Sequence, residues 1–148
     1  MISDTHGLLR PEAVDVMRGC GLIVHAGDVG DASVLDQLRS VAPTIAVRGN
    51  VDTGVWAKAL PLARIVEVGT LRLYVLHEVA QLDLDPKTSG FAAVIYGHSH
   101  RPEAIDREGV LFLNPGSAGP RRFSLPISVA MLRVAGQRLS HDIIELHI

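Results

Sequence analysis

Nitrogen and oxygen donors gather in five short segments of the chain: Asp4-Thr5-His6, Gly27-Asp28, Gly49-Asn50, Leu76-His77 and Gly97-His98-Ser99-His100. Together they offer four imidazoles, two carboxylates and one carboxamide. Such a set suits borderline divalent ions: manganese, iron, cobalt, nickel or zinc. Singly, each segment reads as an ordinary turn, because Asp, Asn, Gly and His are common in loops. As a set they share a second property, since each begins where an apolar run ends. Ends of strands in open α/β sheets face a common crevice, so residues far apart in sequence can converge there.

The elements that must position them are legible as runs. Leu22 to Val24, Thr44 to Val47, Leu71 to Leu76 and Ala92 to Tyr96 resemble buried strands. Between the first of these lie two helical segments. Pro11 to Gly19 has a proline near its start, and Asp31 to Ser40 carries Val34, Leu35 and Leu38 on one face. Alternating strand and helix predicts an α/β layered fold. Later the character changes: Ala63 to Val68 and Leu71 to Leu76 form a hairpin through Gly69-Thr70, and Ile127-Val134 meets Gln137-Leu146 through Ala135-Gly136. The sheets are therefore expected to be mixed. Gln81 to Gly90 reads either as a short helix or as an extended loop.

Composition narrows the function. The 148 residues fit one domain, residues 1–148, and a hydrophobic fraction of 47% can build a core. Fourteen Lys and Arg against sixteen Asp and Glu give a net charge of -2. No basic field for gripping a polynucleotide is present, so there is no strong nucleic-acid signal. Cys20 is the single cysteine, which excludes an internal disulfide and a thiolate-rich zinc cluster and fits a reducing cytoplasm. No run reaches the ~20 apolar residues of a membrane-spanning helix, so no membrane partner is expected.

In order and type, Asp4-Thr5-His6, Gly27-Asp28, Gly49-Asn50, His77 and Gly97-His98-Ser99-His100 resemble the motifs of calcineurin-like metallophosphoesterases. Gly49-Asn50-Val51-Asp52 and Asn114-Pro115-Gly116-Ser117 are similar to the compact bacterial and archaeal phosphodiesterase branch. The resemblance spans nearly the whole chain and implies an αββα sandwich, two mixed β-sheets flanked by helices. It implies that Asp4, His6, Asp28 and His100 hold one metal, and that Asp28, Asn50, His77 and His98 hold the other, with Asp28 bridging. Two divalent ions about 3.5–4 Å apart can be held by a shared carboxylate and a bridging hydroxide. The implied reaction is in-line attack of that hydroxide on a small phosphodiester, a cyclic nucleotide among the candidates, with manganese the first choice of ion. Asn50 and Asp52 are the residues implied to assist. Relatives place a histidine at Asp52, and an aspartate there is expected to orient a histidine or water through hydrogen bonds.

Other residues carry plainer readings. His25 is either a contact behind the ligands or a satisfied core histidine. Arg48, Arg121 and Arg122 read as solvated arginines near a phosphate's path, Asn114 and Ser117 as a structural turn beside the cleft, and Trp56 and Leu60 as packing. His141 and His147 have no partner motif. Two departures from the resemblance stand out. Only Met1, Ile2 and Ser3 precede Asp4, which predicts a shortened, frayed strand and a misassigned start. Glu78 follows His77 where relatives have glycine, and substrate preference is the property this affects. The resemblance extends to a retromer subunit that works through protein contacts, so a protein-binding scaffold is one alternative and a nuclease another. Retention of all seven donors favours the enzyme. The number of subunits stays open, a homo-oligomer included.

Overall fold

The computed structural model describes residues 1–148. Proline at the first position starts α1 (Pro11–Met17), where its missing N–H costs no hydrogen bond. Asp31 caps α2 (Ala32–Arg39) by accepting from the Ser33 N–H at 2.8 Å. Each helix turns one apolar side inward. Ala13, Met17, Val34, Leu35 and Leu38 share a cluster with Ile23, Ala46, Ile127 and Val129.

Two layers of strands lie beneath. β1 (Ile23–His25) and β2 (Thr44–Ala46) pair in parallel. Beside β1, Ile2 donates to the Val24 carbonyl and accepts from the Ala26 N–H, both at 2.9 Å. Met1 in turn exchanges bonds with Ala130 of β8 (Ser128–Ala135), which forms an antiparallel hairpin with β9 (Arg138–Glu145). The second layer is a mixed five-stranded sheet in the order β3-β4-β5-β7-β6. It comprises β3 (Ala63–Val68), β4 (Leu71–Leu76), β5 (Ala93–Ile95), β6 (Glu103–Arg107) and β7 (Val110–Asn114). The β3-β4 and β6-β7 pairs are antiparallel, and the β4-β5 and β5-β7 pairs are parallel.

Side chains of a strand point alternately to its two faces, and the alternation assigns the core. Ile23 and Val129 face the helices, while Val24 and Ala130 face the other sheet, meeting Leu73, Val75, Ala93, Ile95 and Leu113. Fully burying each such Val, Leu or Ile side chain contributes about 1.5–3 kcal/mol. On the outer side of the second sheet, Leu76, Val94, Tyr96, Val110 and Phe112 form a third cluster. Its cover is thin: Val79 of a 3₁₀ turn (Val79–Gln81) and Leu82 pack on it, and the chain from there to Phe91 is loop and turns. Of the two expectations for Gln81 to Gly90, the loop holds beyond the 3₁₀ turn that ends at Gln81. No helix is long and apolar enough to cross a membrane.

Predicted strand ends agree with the structure to about one residue, and the β3-β4 hairpin turns at Gly69-Thr70 as expected, with Gly69 at φ +59°. The last hairpin turns at Gly136-Gln137, one residue later than read from sequence. The β6-β7 hairpin, turning at Glu108-Gly109, was not anticipated. The start of the chain is short but not frayed. Ile2, Ser3 and Asp4 are fully buried, because β1 and Ala130 bond the backbone from both sides.

Candidate metal centre

The donors sit where backbones stop pairing. Asp4 and His6 follow the Ile2 rung, and their N–H groups donate to the Gly27 and Asp28 carbonyls, each at 3.0 Å. Asp28 lies just past β1, Asn50 past β2, His77 at the end of β4, and His98 and His100 past β5. Asp4, His6, Asp28, His98 and His100 have φ between +46° and +72°. That region costs a residue with a side chain about 1–2 kcal/mol, and only Glu108 and Phe123 share it among the other non-glycine residues. Backbone strain concentrated on one set of polar residues points to function.

Two glycines clear the space. A Cβ on Gly97 would lie 2.0 Å from Ser3 Oγ and 2.7 Å from Asp4 Oδ2. One on Gly49 would lie 2.1 Å from Asp28 Oδ1. Only glycine lets these loops press against the carboxylates.

In one group, His6 Nε2 stands 3.1 Å from His100 Nε2, and His100 Nε2 stands 3.3 Å from Asp4 Oδ1. In the adjoining group, His77 Nε2 is 3.2 Å from Asp28 Oδ2 and 3.1 Å from Asn50 Oδ1, which His98 Nδ1 also approaches at 3.1 Å. Asp28 Oδ2 joins them, at 3.7 Å from His6 Nε2. Donors at ~2.0–2.2 Å from a cation lie about 3.0–3.4 Å from one another, and the shortest donor pairs of both groups have that spacing, with His6 to Asp4 wider at 3.8 Å. Asp4 Oδ1 is buried without a hydrogen-bond partner, whereas Oδ2 accepts from the Ser3 hydroxyl at 2.7 Å and the His98 N–H at 3.1 Å. One oxygen is anchored and the other is free for a cation. Asp28 Oδ1 is anchored likewise by the Val51 N–H at 3.0 Å. His77 Nδ1–H donates to the Ala26 carbonyl at 2.8 Å, leaving the Nε2 lone pair toward Asp28. The residues fit a pair of divalent ions.

Charges agree with this geometry. Burial alone would raise Asp4 and Asp28, but imidazole contacts and hydrogen bonds, from His100 and Ser3 to Asp4 and from His77 and Val51 to Asp28, hold both below the usual carboxylate range. Burial opposes charge on His77, yet Asp28 and Asp4 raise its pKa on balance. Burial outweighs the same carboxylates at His6 and lowers it. Two carboxylates facing two dications leave net positive charge, an attraction for phosphate on a chain that is slightly acidic overall.

The surrounding residues have defined contacts. Asp52 accepts three backbone N–H groups, from Gly30 and Gly49 at 2.8 Å and from Val29 at 3.2 Å. It therefore ties the Asp28 loop to the Asn50 loop. His25 does a similar task from the core. Thr5 Oγ1 gives its hydrogen to the Val29 carbonyl at 2.8 Å and so accepts from His25 Nε2–H at 3.0 Å, while His25 Nδ1 accepts from the Gly27 N–H at 3.2 Å. Both readings of His25 hold at once: it is a satisfied core residue and it links two ligand loops. Its place two residues before Gly27 was the only signal in the sequence. Asn114 Nδ2 donates to the Gly97 carbonyl and Ser117 Oγ to the Asp4 carbonyl, so their turn braces the cleft as expected. Trp56 and Leu60 pack against the helix-side core. Arg48 lines a cavity beside Asn50 and His77. Arg121 and Arg122 are exposed, as are His141 and His147.

Two cation sites one carboxylate apart suit the clamping of attacking and leaving oxygens in phosphoryl transfer. On this fold they make the chain a metal-dependent phosphoesterase. A model described as the calcineurin-like phosphoesterase superfamily domain matches residues 1–137, and the chain belongs to that superfamily. It is 35% identical over 157 residues to a probable metallophosphoesterase of Methanothermobacter thermautotrophicus, covering 98% of this chain and 90% of that one. Among solved structures, a novel archaeal phosphodiesterase superposes with a TM-score of 0.78 at 23% identity, over 97% of each chain. Vps29 of Chaetomium thermophilum gives 0.78 at 22% identity, over 98% of this chain and 94% of that one.

Proposed function

We propose that the protein hydrolyses a small phosphodiester, with Asp4, His6, Asp28 and His100 holding one ion and Asp28, Asn50, His77 and His98 the other. The observation that carries this is Asp28 Oδ2, which faces His77 on one side and His6 on the other. Manganese is the ion proposed first, and a donor set of imidazole, carboxylate and carboxamide without thiolate supports ions of that class. When bound, the ions supply hydroxide at neutral pH and offset the charge that builds on the phosphoryl oxygens.

The chain's own residues do the holding. Ser3 and the His98 N–H fix the Asp4 carboxylate, the Val51 N–H fixes Asp28, and Asp52 keeps the Asp28 and Asn50 loops in register. Asp52 is thus a positioning residue, its oxygens committed to backbone donors. Asn50 presents its carboxamide at the mouth of the site. A net charge of -2 and the absence of a basic track support a small substrate over a polymer. The full set of seven donors supports catalysis over a purely scaffolding role, and the lone Cys20 supports a reducing cytoplasm.

Metal analysis and turnover of bis(4-nitrophenyl) phosphate test this directly. Protein purified without chelators should bind two equivalents of manganese, and Asp28→Ala should lose at least one of them with a rate loss on the order of 10³-fold. An unchanged rate in Asp28→Ala overturns the proposal.

A further inference from the structure

Beside Asn50 and His77 a cavity of about 310 Å³ opens, walled in part by Arg48, Tyr74, Glu78 and Asp83. That is at the lower end of the ~300–1,000 Å³ of small-molecule sites, enough for an alcohol-sized ester group. Glu78 sits at its junction with the metal centre. Its Oε1 lies 3.9 Å from His98 Nδ1, and its side chain is 27% exposed. Gln81 Nε2 donates to its Oε2 at 3.3 Å, which braces the carboxylate in place. Arg48 is the one Lys or Arg in that wall, against the two carboxylates of Glu78 and Asp83.

We propose that Glu78 is a charge filter: it makes this cavity the pocket for an uncharged ester group and excludes a second anionic charge there. The proposal rests on the phosphodiesterase reading above and deepens it. A phosphodiester carries one negative charge, whereas a phosphomonoester approaches two above pH ~6. The carboxylate sits within one side chain's reach of the second cation's donors, so it repels the extra charge of a monoester more than it repels a diester. Unit charges some 6–8 Å apart at an effective dielectric near 20–40 discriminate roughly sixfold to a hundredfold. The same repulsion disfavours a polynucleotide, whose next phosphate would have to enter this side. Glycine at this position would impose no such filter.

The test compares wild type, Glu78→Gln and Glu78→Asp, all loaded with manganese. The ratio of kcat/KM for bis(4-nitrophenyl) phosphate over 4-nitrophenyl phosphate at pH 8 should fall about tenfold in Glu78→Gln, chiefly through the monoester KM. Glu78→Asp, which keeps the charge, should retain most of the wild-type ratio. Calorimetric titration with inorganic phosphate and with dimethyl phosphate gives a second reading that needs no turnover. The affinity ratio should shift toward inorganic phosphate by about the same factor in Glu78→Gln. Unchanged ratios in both measurements overturn the filter, as does loss of a metal equivalent in Glu78→Gln, which would make Glu78 a ligand. If wild type turns over neither ester, the phosphodiesterase reading falls, and the two titrations still decide the filter.

Discussion

The two halves of the metal centre are built differently. Asp4 and His100 are buried and His6 is half-buried, held under the Asn114-Pro115-Gly116-Ser117 turn and against the strand layer that carries Ile2. The other half is open, since Asn50 is exposed and the His98 side chain is 49% exposed beside the cavity of Glu78. Asp28 belongs to both. A buried, over-determined half keeps its geometry without a ligand, whereas a half open to solvent at Asn50 and His98 can admit substrate and exchange its ion. Rigid support on one side and access on the other is how a site can be preorganised and still turn over.

The largest effect that could break this comparison comes from removing one donor in each half. Asp4→Ala should abolish tight binding of the inner ion and lower phosphodiester turnover on the order of 10³-fold. His98→Ala should leave the inner ion bound and weaken the outer one by more than ~100-fold, above the cost of losing a mere supporting partner. Metal content after brief chelation reads the difference; loss of both ions at equal rates in wild type would erase the distinction between the halves.

A smaller effect sharpens the packing side. Gly97→Ala forces a methyl group into Ser3 and Asp4, and urea denaturation should show a loss of about 3 kcal/mol together with weaker metal binding. Gly109→Ala meets open space in the β6-β7 turn, at φ +85°, and should cost only about 1 kcal/mol of backbone strain with metal binding intact. Equal losses at the two positions would contradict the close-packed description of the inner half.

The last effect concerns pH. Burial depresses His25 to a pKa of about 4, against its ordinary 6.5. The folded protein holds this imidazole neutral, so the unfolded chain binds more protons between those values, and stability falls as pH drops from 6.5 toward 4. The full contribution is on the order of 3 kcal/mol, with the shift converted at ~1.36 kcal/mol per pKa unit. His77, whose pKa is raised, runs the other way, its contribution being lost as pH rises. Urea titrations of metal-free protein at several pH values should show a shallower dependence in His25→Gln than in wild type. Parallel curves would mean that His25 does not titrate as described.

Much of this was legible beforehand because it is local. The donors are side chains of fixed type, and the Asp-x-His and Gly-His-Ser-His spacings survive any fold. Gly69-Thr70 between two apolar runs marks a hairpin, and Val34, Leu35 and Leu38 on one face mark a helix wherever that helix goes. The β6-β7 hairpin escaped notice although Val110-Leu111-Phe112-Leu113 ends at Asn114, a run of the same kind as those that were read. What hid it was its pairing: β7 lies parallel to β5, inserted between β5 and β6, and nothing in a single run announces its neighbour.

By itself, then, the sequence determined the donor set, the succession of strands and helices, and the kind of ion such donors accept. Only the tertiary structure decided which oxygen of Asp28 lies between the two groups, and that Asp52 binds backbone N–H groups in place of a histidine. It also decided that Glu78 stands over the outer half. These outcomes depend on contacts between residues distant along the chain, and such contacts are set by how whole layers pack, which no local spacing encodes.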